Sequence, residues 1–251
     1  MCRFRFAFVA TAAVFGFSSA AFAADLPVKA YPVAPIAAHS WTGCYIGAGV
    51  GGAITKNDHH DLDTALGTAL SPNLSTGAEG WFGTVGAGCD YQFNNFVVGV
   101  FGDYDLMSIK GDVSTGGFFA PALTGQQKQD YQWAVGGRVG YLVMPSLLTY
   151  VSGGYTQAHW KSTDLFSFFA GGIPVANLSG STRGGWFLGT GDEYALSFMP
   201  GLFWKTEYRY SQFGRGDALI NSLPSGLPTG VSSSQQFHEH SVRSELVYRF
   251  N

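Results

Sequence analysis

The feature that most constrains this 251-residue chain is a two-residue alternation recurring in eight segments, joined by connections that are short and long in turn. The segments cover 42–52, 81–92, 96–109, 130–143, 148–160, 184–196, 203–213 and 239–250. Side chains two apart on a strand share a face, so this period predicts strands and not amphipathic helices. In the third segment Phe96, Val98, Val100, Gly102, Tyr104 and Leu106 oppose Val97, Gly99, Phe101, Asp103 and Asp105. In the eighth, Val242, Ser244, Leu246, Tyr248 and Phe250 oppose Arg243, Glu245 and Arg249. The fifth segment mixes the two characters, and its faces stay unassigned. Links near Asn94-Asn95, Met144-Pro145-Ser146 and Met199-Pro200-Gly201 are short. Those near 53–80, 110–129, 161–183 and 214–238 are long, rich in Gly, Ser, Thr, Asn and Pro, and read as exposed loops. Short turns on one side and long loops on the other, over an even number of antiparallel strands, are the pattern of an outer-membrane barrel. The expected fold is all-β: an eight-stranded antiparallel up-and-down transmembrane β-barrel.

Composition decides between a membrane barrel and a soluble one. Only 12% of residues are charged, about half the usual share. A soluble lipocalin-like barrel would need Lys and Glu over its whole exterior. Here the non-apolar face of the strands carries glycine and a few ionic residues of both signs. Asp103, Asp105, Arg138, Glu193, Lys205, Glu207, Arg209, Arg243, Glu245 and Arg249 all fall in that phase, five acidic and five basic. The interior of an eight-stranded barrel is just wide enough for side chains to fill, so these residues are expected to form a paired ionic network in the lumen. Trp, Tyr and Phe near the segment ends on the opposite face fit the aromatic girdles of a membrane barrel. A net charge of −3 and the lack of any Lys/Arg run argue against nucleic acid as a partner.

The N-terminus reads as an export signal over residues 1–23. Arg3 and Arg5 precede an apolar run from Phe6 to Phe17, and Ala21-Phe22-Ala23 has the A-x-A form of a cleavage site. Residues 24–40 contain Pro27, Pro32 and Pro35 and are expected as an extended periplasmic segment. The barrel domain is then 41–251. Cleavage leaves two cysteines, Cys44 and Cys89, in an oxidising compartment. Both lie on the lipid-side phase near the periplasmic ends of adjacent strands. They are expected to be neighbours; whether they are bonded depends on the register, and that stays open.

Several motifs are similar to one family. Asp25-Leu26-Pro27-Val28-Lys29-Ala30 and Trp41-Thr42-Gly43-Cys44-Tyr45-Ile46-Gly47 resemble the opening of the alphaproteobacterial small outer-membrane immunogenic proteins. Val98-Gly99-Val100-Phe101-Gly102-Asp103, Gly137-Arg138-Val139-Gly140-Tyr141 and Gly184-Gly185-Trp186 with Glu193-Tyr194-Ala195-Leu196 resemble its strands. So do Lys205-Thr206-Glu207-Tyr208-Arg209-Tyr210 and Tyr248-Arg249-Phe250. The resemblance implies an OmpA-type, opacity-protein-like barrel in the outer membrane of a Gram-negative cell. It includes haemin-binding outer-membrane proteins. The family usually has aromatics where Cys44 and Cys89 stand, an acidic residue at Phe101 and an apolar one at Asp192. An aspartate on the lipid phase predicts a rim position or a bulge at Asp192. The alternating aromatics ending at Phe250 resemble the strand signal read by the barrel-insertion machinery.

No catalytic constellation emerges. Barrel enzymes that act on lipopolysaccharide place His and Ser two apart on one strand, and no His-x-Ser occurs. Gly47 to Gly52 is not a phosphate loop, since no Lys-Ser/Thr follows and the period is two. His59, His60, His238 and His240 are the candidate metal ligands, for a transition metal or haem iron, with Asp58, Asp61 and Glu239 beside them as acceptors for the imidazoles. No cofactor is otherwise expected. The sequence therefore reads as a monomeric, non-enzymatic envelope barrel bathed in outer-membrane lipid and lipopolysaccharide, with any specificity in its long loops. The alternatives are a narrow diffusion pore and a haem- or metal-binding surface protein.

Overall fold

The computed structural model of the protein describes residues 39–115 and 123–250. The expected signal and most of the proline-rich segment lie outside the described residues. Eleven strands follow in chain order: β1 (Gly43–Asp63), β2 (Leu74–Phe93), β3 (Phe96–Thr115), β4 (Leu123–Met144), β5 (Leu147–Trp160), β6 (Thr163–Ser167), β7 (Pro174–Leu178), β8 (Ser181–Ala195), β9 (Leu202–Phe213), β10 (Gly216–Ser222) and β11 (Pro228–Phe250). All pairings are antiparallel, and β1 closes against β11, with Cys44 opposite Phe250. Toward the periplasm the ring runs β1-β2-β3-β4-β5-β8-β9-β11. Farther out, β6, β7 and β10 take the places of β5, β8 and β9, through pairings β4–β6, β6–β7, β7–β10 and β10–β11. Three strands are thus broken, at 161–162, 179–180 and 214–215, and the wall keeps eight strands throughout.

The periplasmic links are as short as the sequence predicts. Asn94 and Asn95 alone join β2 to β3, with Asn94 at φ 54°. A two-residue hairpin needs positive φ, and Asn tolerates it better than other non-glycine residues. The long connections differ from expectation. Most of 53–80, 110–129 and 214–238 is strand, since β1, β2, β3, β4 and β11 have 20 to 23 residues each. A tilted strand crosses a bilayer in about 9–11 residues. The remainder forms a collar that stands beyond the membrane.

Alternation sets the two faces of the wall. Outward side chains include Ile46, Val50, Val85, Val100, Val135, Val151, Leu188 and Leu246, all exposed. Aromatics bound this apolar band: Trp81, Tyr104, Tyr155, Trp186 and Tyr208 on one side, Phe96, Tyr141, Tyr194, Trp204 and Phe250 on the other. Trp186 and Tyr194 are eight positions apart on β8, a spacing that matches the membrane requirement. Asp192 faces outward three residues before the end of β8, with no bulge there, and accepts a hydrogen bond from Thr149 Oγ1 at 2.6 Å. Its position is a rim position.

Cys44 and Cys89 are direct partners on β1 and β2, with Cα atoms 3.9 Å apart, and they form a disulfide. The register question left open by the sequence resolves to a zero offset.

Inward, the periplasmic end is floored by apolar side chains. Trp41 folds back ahead of β1 and packs with Val97, Leu142, Leu148, Phe203 and Val247. Its indole donates to the Pro145 carbonyl at 3.2 Å. Higher up, glycine gives room to rings. A Cβ on Gly136 would lie 2.8 Å from Phe187 Cζ, and one on Gly88 would lie 2.5 Å from Tyr45 Oη. Packed interiors leave no such space, so a side chain at either position has to displace its neighbours.

Candidate functional site

The lumen above the Trp41 floor is filled by charge. Lowest is a closed ring of four: Arg138 and Arg249, each shared between Asp90 and Glu193. Arg138 reaches Glu193 at 2.9 Å and also binds Asp90. Arg249 reaches Asp90 and Glu193, both at 2.7 Å. The guanidiniums lie over aromatic rings, Arg138 at 4.8 Å from the Tyr45 centroid and Arg249 at 5.0 Å from that of Trp41. A second group sits one storey higher. Arg209 binds Asp103 at 2.8 Å and Glu207 at 2.8 Å. Arg243 bridges Asp103 at 3.3 Å and Asp105 at 3.0 Å. Lys205 binds Glu245 at 3.1 Å, and Tyr150 donates to Glu207 at 2.8 Å. Arg209 also covers the Phe187 ring at 4.3 Å, within cation–π range.

All ten charged residues expected in the lumen are buried there. Two more acids join them. Asp90 completes the lower ring, and Glu239 is fully buried above the upper group. Both follow from strand phase: Asp90 alternates with Gly88 and Gly86, and Glu239 lies four residues before Arg243. What phase does not give is the partner across the lumen, such as Arg138 for Asp90.

The four histidines are divided by the wall. His59 points inward, buried, with Nε2 2.9 Å from the Ser114 carbonyl. His60, the next residue, takes the opposite face. His238 and His240 face outward, where Nδ1 of His238 is 2.9 Å from Tyr210 Oη and Nδ1 of His240 is 2.7 Å from Tyr208 Oη. Among the described residues no group of three or more His, Cys, Asp and Glu could hold a metal ion. Of the acceptors expected beside them, Asp58 does lie 3.9 Å from His238 Nε2. Asp61 and Glu239 point inward, away from His238 and His240. The expectation erred by grouping residues at the outer ends of the hairpins as one cluster, with 57–60 read as loop; strand alternation in fact governs 57–60 as well as 238–240 and sends neighbours to opposite faces. Asp58 lies in the collar, and the Ser75 hydroxyl, then the Lys56 ammonium, hold its carboxyl below the usual range.

The collar ends in hairpins with apolar tips. Leu66 is 75% exposed between β1 and β2, Phe169 83% between β6 and β7, and Leu227 66% between β10 and β11. Below them the collar interior packs Val113, Leu165, Ala176, Leu178, Ala218 and Ile220. It is a folded platform.

Comparison with known proteins agrees with this geometry. Residues 9–250 match the family described as outer membrane protein beta-barrel domain. The 31 kDa outer-membrane immunogenic protein of Brucella melitensis biotype 1 is 33% identical over 242 residues, covering 93% of this chain and 95% of the relative. The 25 kDa outer-membrane immunogenic protein of Brucella abortus biovar 1 is 28% identical over 250 residues, covering 96% of each. Among solved structures, the outer membrane protein OprG of Pseudomonas aeruginosa superposes with a TM-score of 0.51 at 17% identity, covering 83% of this chain and 97% of that one. That likeness concerns fold alone. A lipid-facing wall bounded by aromatics requires a membrane, and the matched sequences say which one: the protein belongs to the outer membrane protein beta-barrel domain family and resides in the outer membrane of a Gram-negative cell.

Proposed function

We propose that the protein is a non-enzymatic, non-conducting barrel that supports the envelope and presents its collar as a surface for interaction. The observation that carries this reading is the filled lumen. Two storeys of paired charge stand on an apolar floor, with Arg138, Glu193, Arg209 and Arg243 all buried. A solute would have to break several buried ion pairs to pass, each costing about 3–5 kcal/mol to disrupt. That argues against the diffusion-pore alternative. Closure of β1 on β11 leaves no free strand edge and supports a monomer. The outward apolar band fits outer-membrane lipid and lipopolysaccharide as its surroundings. The outward Tyr248 and Phe250 of β11 fit delivery by the barrel-insertion machinery. Recognition falls to the collar tips, where Leu66, Phe169 and Leu227 offer apolar contacts that a purely solvated loop would not.

Planar-bilayer recording on the refolded mature protein tests the core of this reading. No stepwise conductance is expected from the wild type. Regular unitary steps, abolished by heat denaturation of the same sample, would replace it with a pore.

A further inference from the structure

The lipid-facing wall of β1 to β4 is not evenly covered. A groove of about 640 Å³ runs over it. Ala87 and Gly102, direct partners on β2 and β3, form its floor because neither has a side chain that projects far. Ile46, Val85 and Val135 stand beside them. Tyr104 and Trp133, direct partners on β3 and β4, bound its outer end. Ile46, Val85 and Val135 are exposed, so the groove opens toward hydrocarbon.

The same β3 and β4 carry a pair of lysines farther out. Beyond Tyr104 and Trp133 come Leu106 and Tyr131, also direct partners, with the Tyr131 ring stacked on Tyr104 at 5.9 Å. After a bulge the ladder resumes and sets Lys110 opposite Lys128. Ile109 before Lys110, and Gln127 and Gln129 on either side of Lys128, are buried inward, so both lysines face out. Lys161 continues the row: its backbone N–H donates to the Lys128 carbonyl at 2.9 Å. Like charges directly opposite each other destabilise a sheet. Among the described residues no carboxylate lies within 4.0 Å of the Lys110 or Lys128 ammonium, whereas Lys56 and Lys161 each have one. Glu79 opposes Lys110 from β2 and Asp112 lies two positions farther out, both beyond that distance. Asp130 is held by His159 at 2.6 Å and by Lys161 at 3.7 Å.

The height of the lysines is that of a headgroup. Lys110 lies four residues beyond Leu106, the last exposed large apolar side chain on β3. At about 3.3 Å per residue and a tilt of about 40° it stands about 10 Å above the apolar band, and its stem can lie back along the wall. The polar zone of a bilayer is about 5–8 Å deep on each side.

We propose that β3 and β4 hold one lipopolysaccharide molecule in a defined place, with a headgroup phosphate between Lys110 and Lys128 and one acyl chain in the groove over Ala87 and Gly102. Two independent observations meet here: an opposed pair of cations that an anion would relieve, and a chain-sized groove below it on the same strands. Phosphate joined to several acyl chains is the chemistry of lipopolysaccharide. The proposal rests on the outer-membrane placement of the wall and goes beyond the general lipid contact of the apolar band.

The test uses the full mature barrel in phosphatidylcholine nanodiscs that contain bisphosphorylated lipid A, dephosphorylated lipid A or phosphatidylglycerol at one mole fraction. Native mass spectrometry counts the lipid that stays on the barrel after release from the disc, and heat-shifted gel mobility confirms that each variant is folded. One bisphosphorylated lipid A per barrel is expected. The double variant Lys110→Gln/Lys128→Gln should weaken its retention about twentyfold. Lys56→Gln, whose lysine is paired with Asp58, should leave it unchanged. Ala87→Leu faces lipid and is compatible with folding; by filling the floor it should weaken retention with both lysines in place. The proposal falls if the double lysine variant retains lipid A as the wild type does or if Ala87→Leu has no effect. It also falls if dephosphorylated lipid A or phosphatidylglycerol is retained equally well. Lys110 and Lys128 lie outside the lumen, so none of these results alters the conductance outcome, and failure here is distinct from failure of the non-conducting reading.

Discussion

The lower ionic ring offers a quantitative test of how the lumen is held. Glu193 accepts from Arg138 Nη1 at 2.9 Å and from Arg249 Nε and Nη2 at 3.1 and 2.7 Å. Replacing it with alanine turns a neutral ring of four into three groups with one excess positive charge, all of them buried. Removing one member of a buried pair costs about 3–5 kcal/mol. Two arginines lose a partner here, yet both keep Asp90, so we expect about 3–5 kcal/mol and not twice that. Folded proteins have about 5–15 kcal/mol in total, so the urea midpoint should drop by a large fraction. Removing Arg138 as well, as Met, restores neutrality and leaves the Asp90–Arg249 pair at 2.7 Å. The double variant should therefore lose less than the two single variants together, with a coupling energy of about 0.5–3 kcal/mol. Equilibrium unfolding in micelles, read by tryptophan fluorescence and by the heat-sensitive gel mobility of the folded barrel, gives all four corners of the cycle. A cost below about 1 kcal/mol for Glu193→Ala is the range of exposed pairs. That result, or strict additivity in the cycle, would mean that the guanidiniums are solvated and the lumen is open.

Other outcomes follow from the same physics. Glu207→Ala strands the Tyr150 hydroxyl and takes one of the two carboxylates from Arg209, and should lower stability by about 1–4 kcal/mol in the same unfolding assay. Unfolded, unreduced mature protein should show no reactive thiol; reducing Cys44–Cys89, which closes a separation of 45 residues, should cost at most about 4 kcal/mol from loop-closure entropy. Gly136→Ala places a methyl against the Gly153 carbonyl and the Phe187 ring and should cost about 1–3 kcal/mol, whereas Gly77→Ala, in open space, should cost far less. Asp58 should titrate below 3.8 by carboxyl NMR and move back toward it in Ser75→Ala. Because that carboxyl is depressed in the fold, its contribution is present above its ordinary value and is lost as pH falls through the lowered one.

Strand phase was legible wherever one face met lipid. Val98 to Leu106 and Val242 to Phe250 face outward, as their alternation predicts, because hydrocarbon admits apolar side chains and excludes the ionic ones between them. β5 was illegible because both of its faces mix small, polar and aromatic residues: Tyr150, Ser152 and Thr156 inward, Thr149, Val151 and Tyr155 outward. The collar was hidden for a related reason. From Thr55 to Asp61 polar residues occupy both faces of β1, since water lies outside and a polar lumen inside. Hydrophobic period carries no signal there, while the backbone ladder to β11 continues unbroken. The histidines were misjudged on the same stretch. Once residues 57–60 and 238–240 are strand, neighbours such as His59 and His60 must diverge. Glu239 illustrates the limit from the other side: its phase is plain, but its lack of a basic partner appears only when the opposite wall is in place.

The three interruptions at 161–162, 179–180 and 214–215 divide the molecule in a way that matters for its evolution. They lie on β5/β6, β7/β8 and β9/β10, adjacent around one side of the ring, while β1 to β4 and β11 pass through without a break. Residues 163–178 and 216–222 can therefore be exchanged, lengthened or shortened without altering the register of the membrane-embedded strands β5, β8 and β9. The opposite half has no such freedom, because an insertion within β1 or β11 shifts every inward and outward position beyond it. Variation in length and sequence among related barrels should concentrate on the interrupted side. Foreign peptides grafted for display should be tolerated at 168–173 and rejected within the continuous strands.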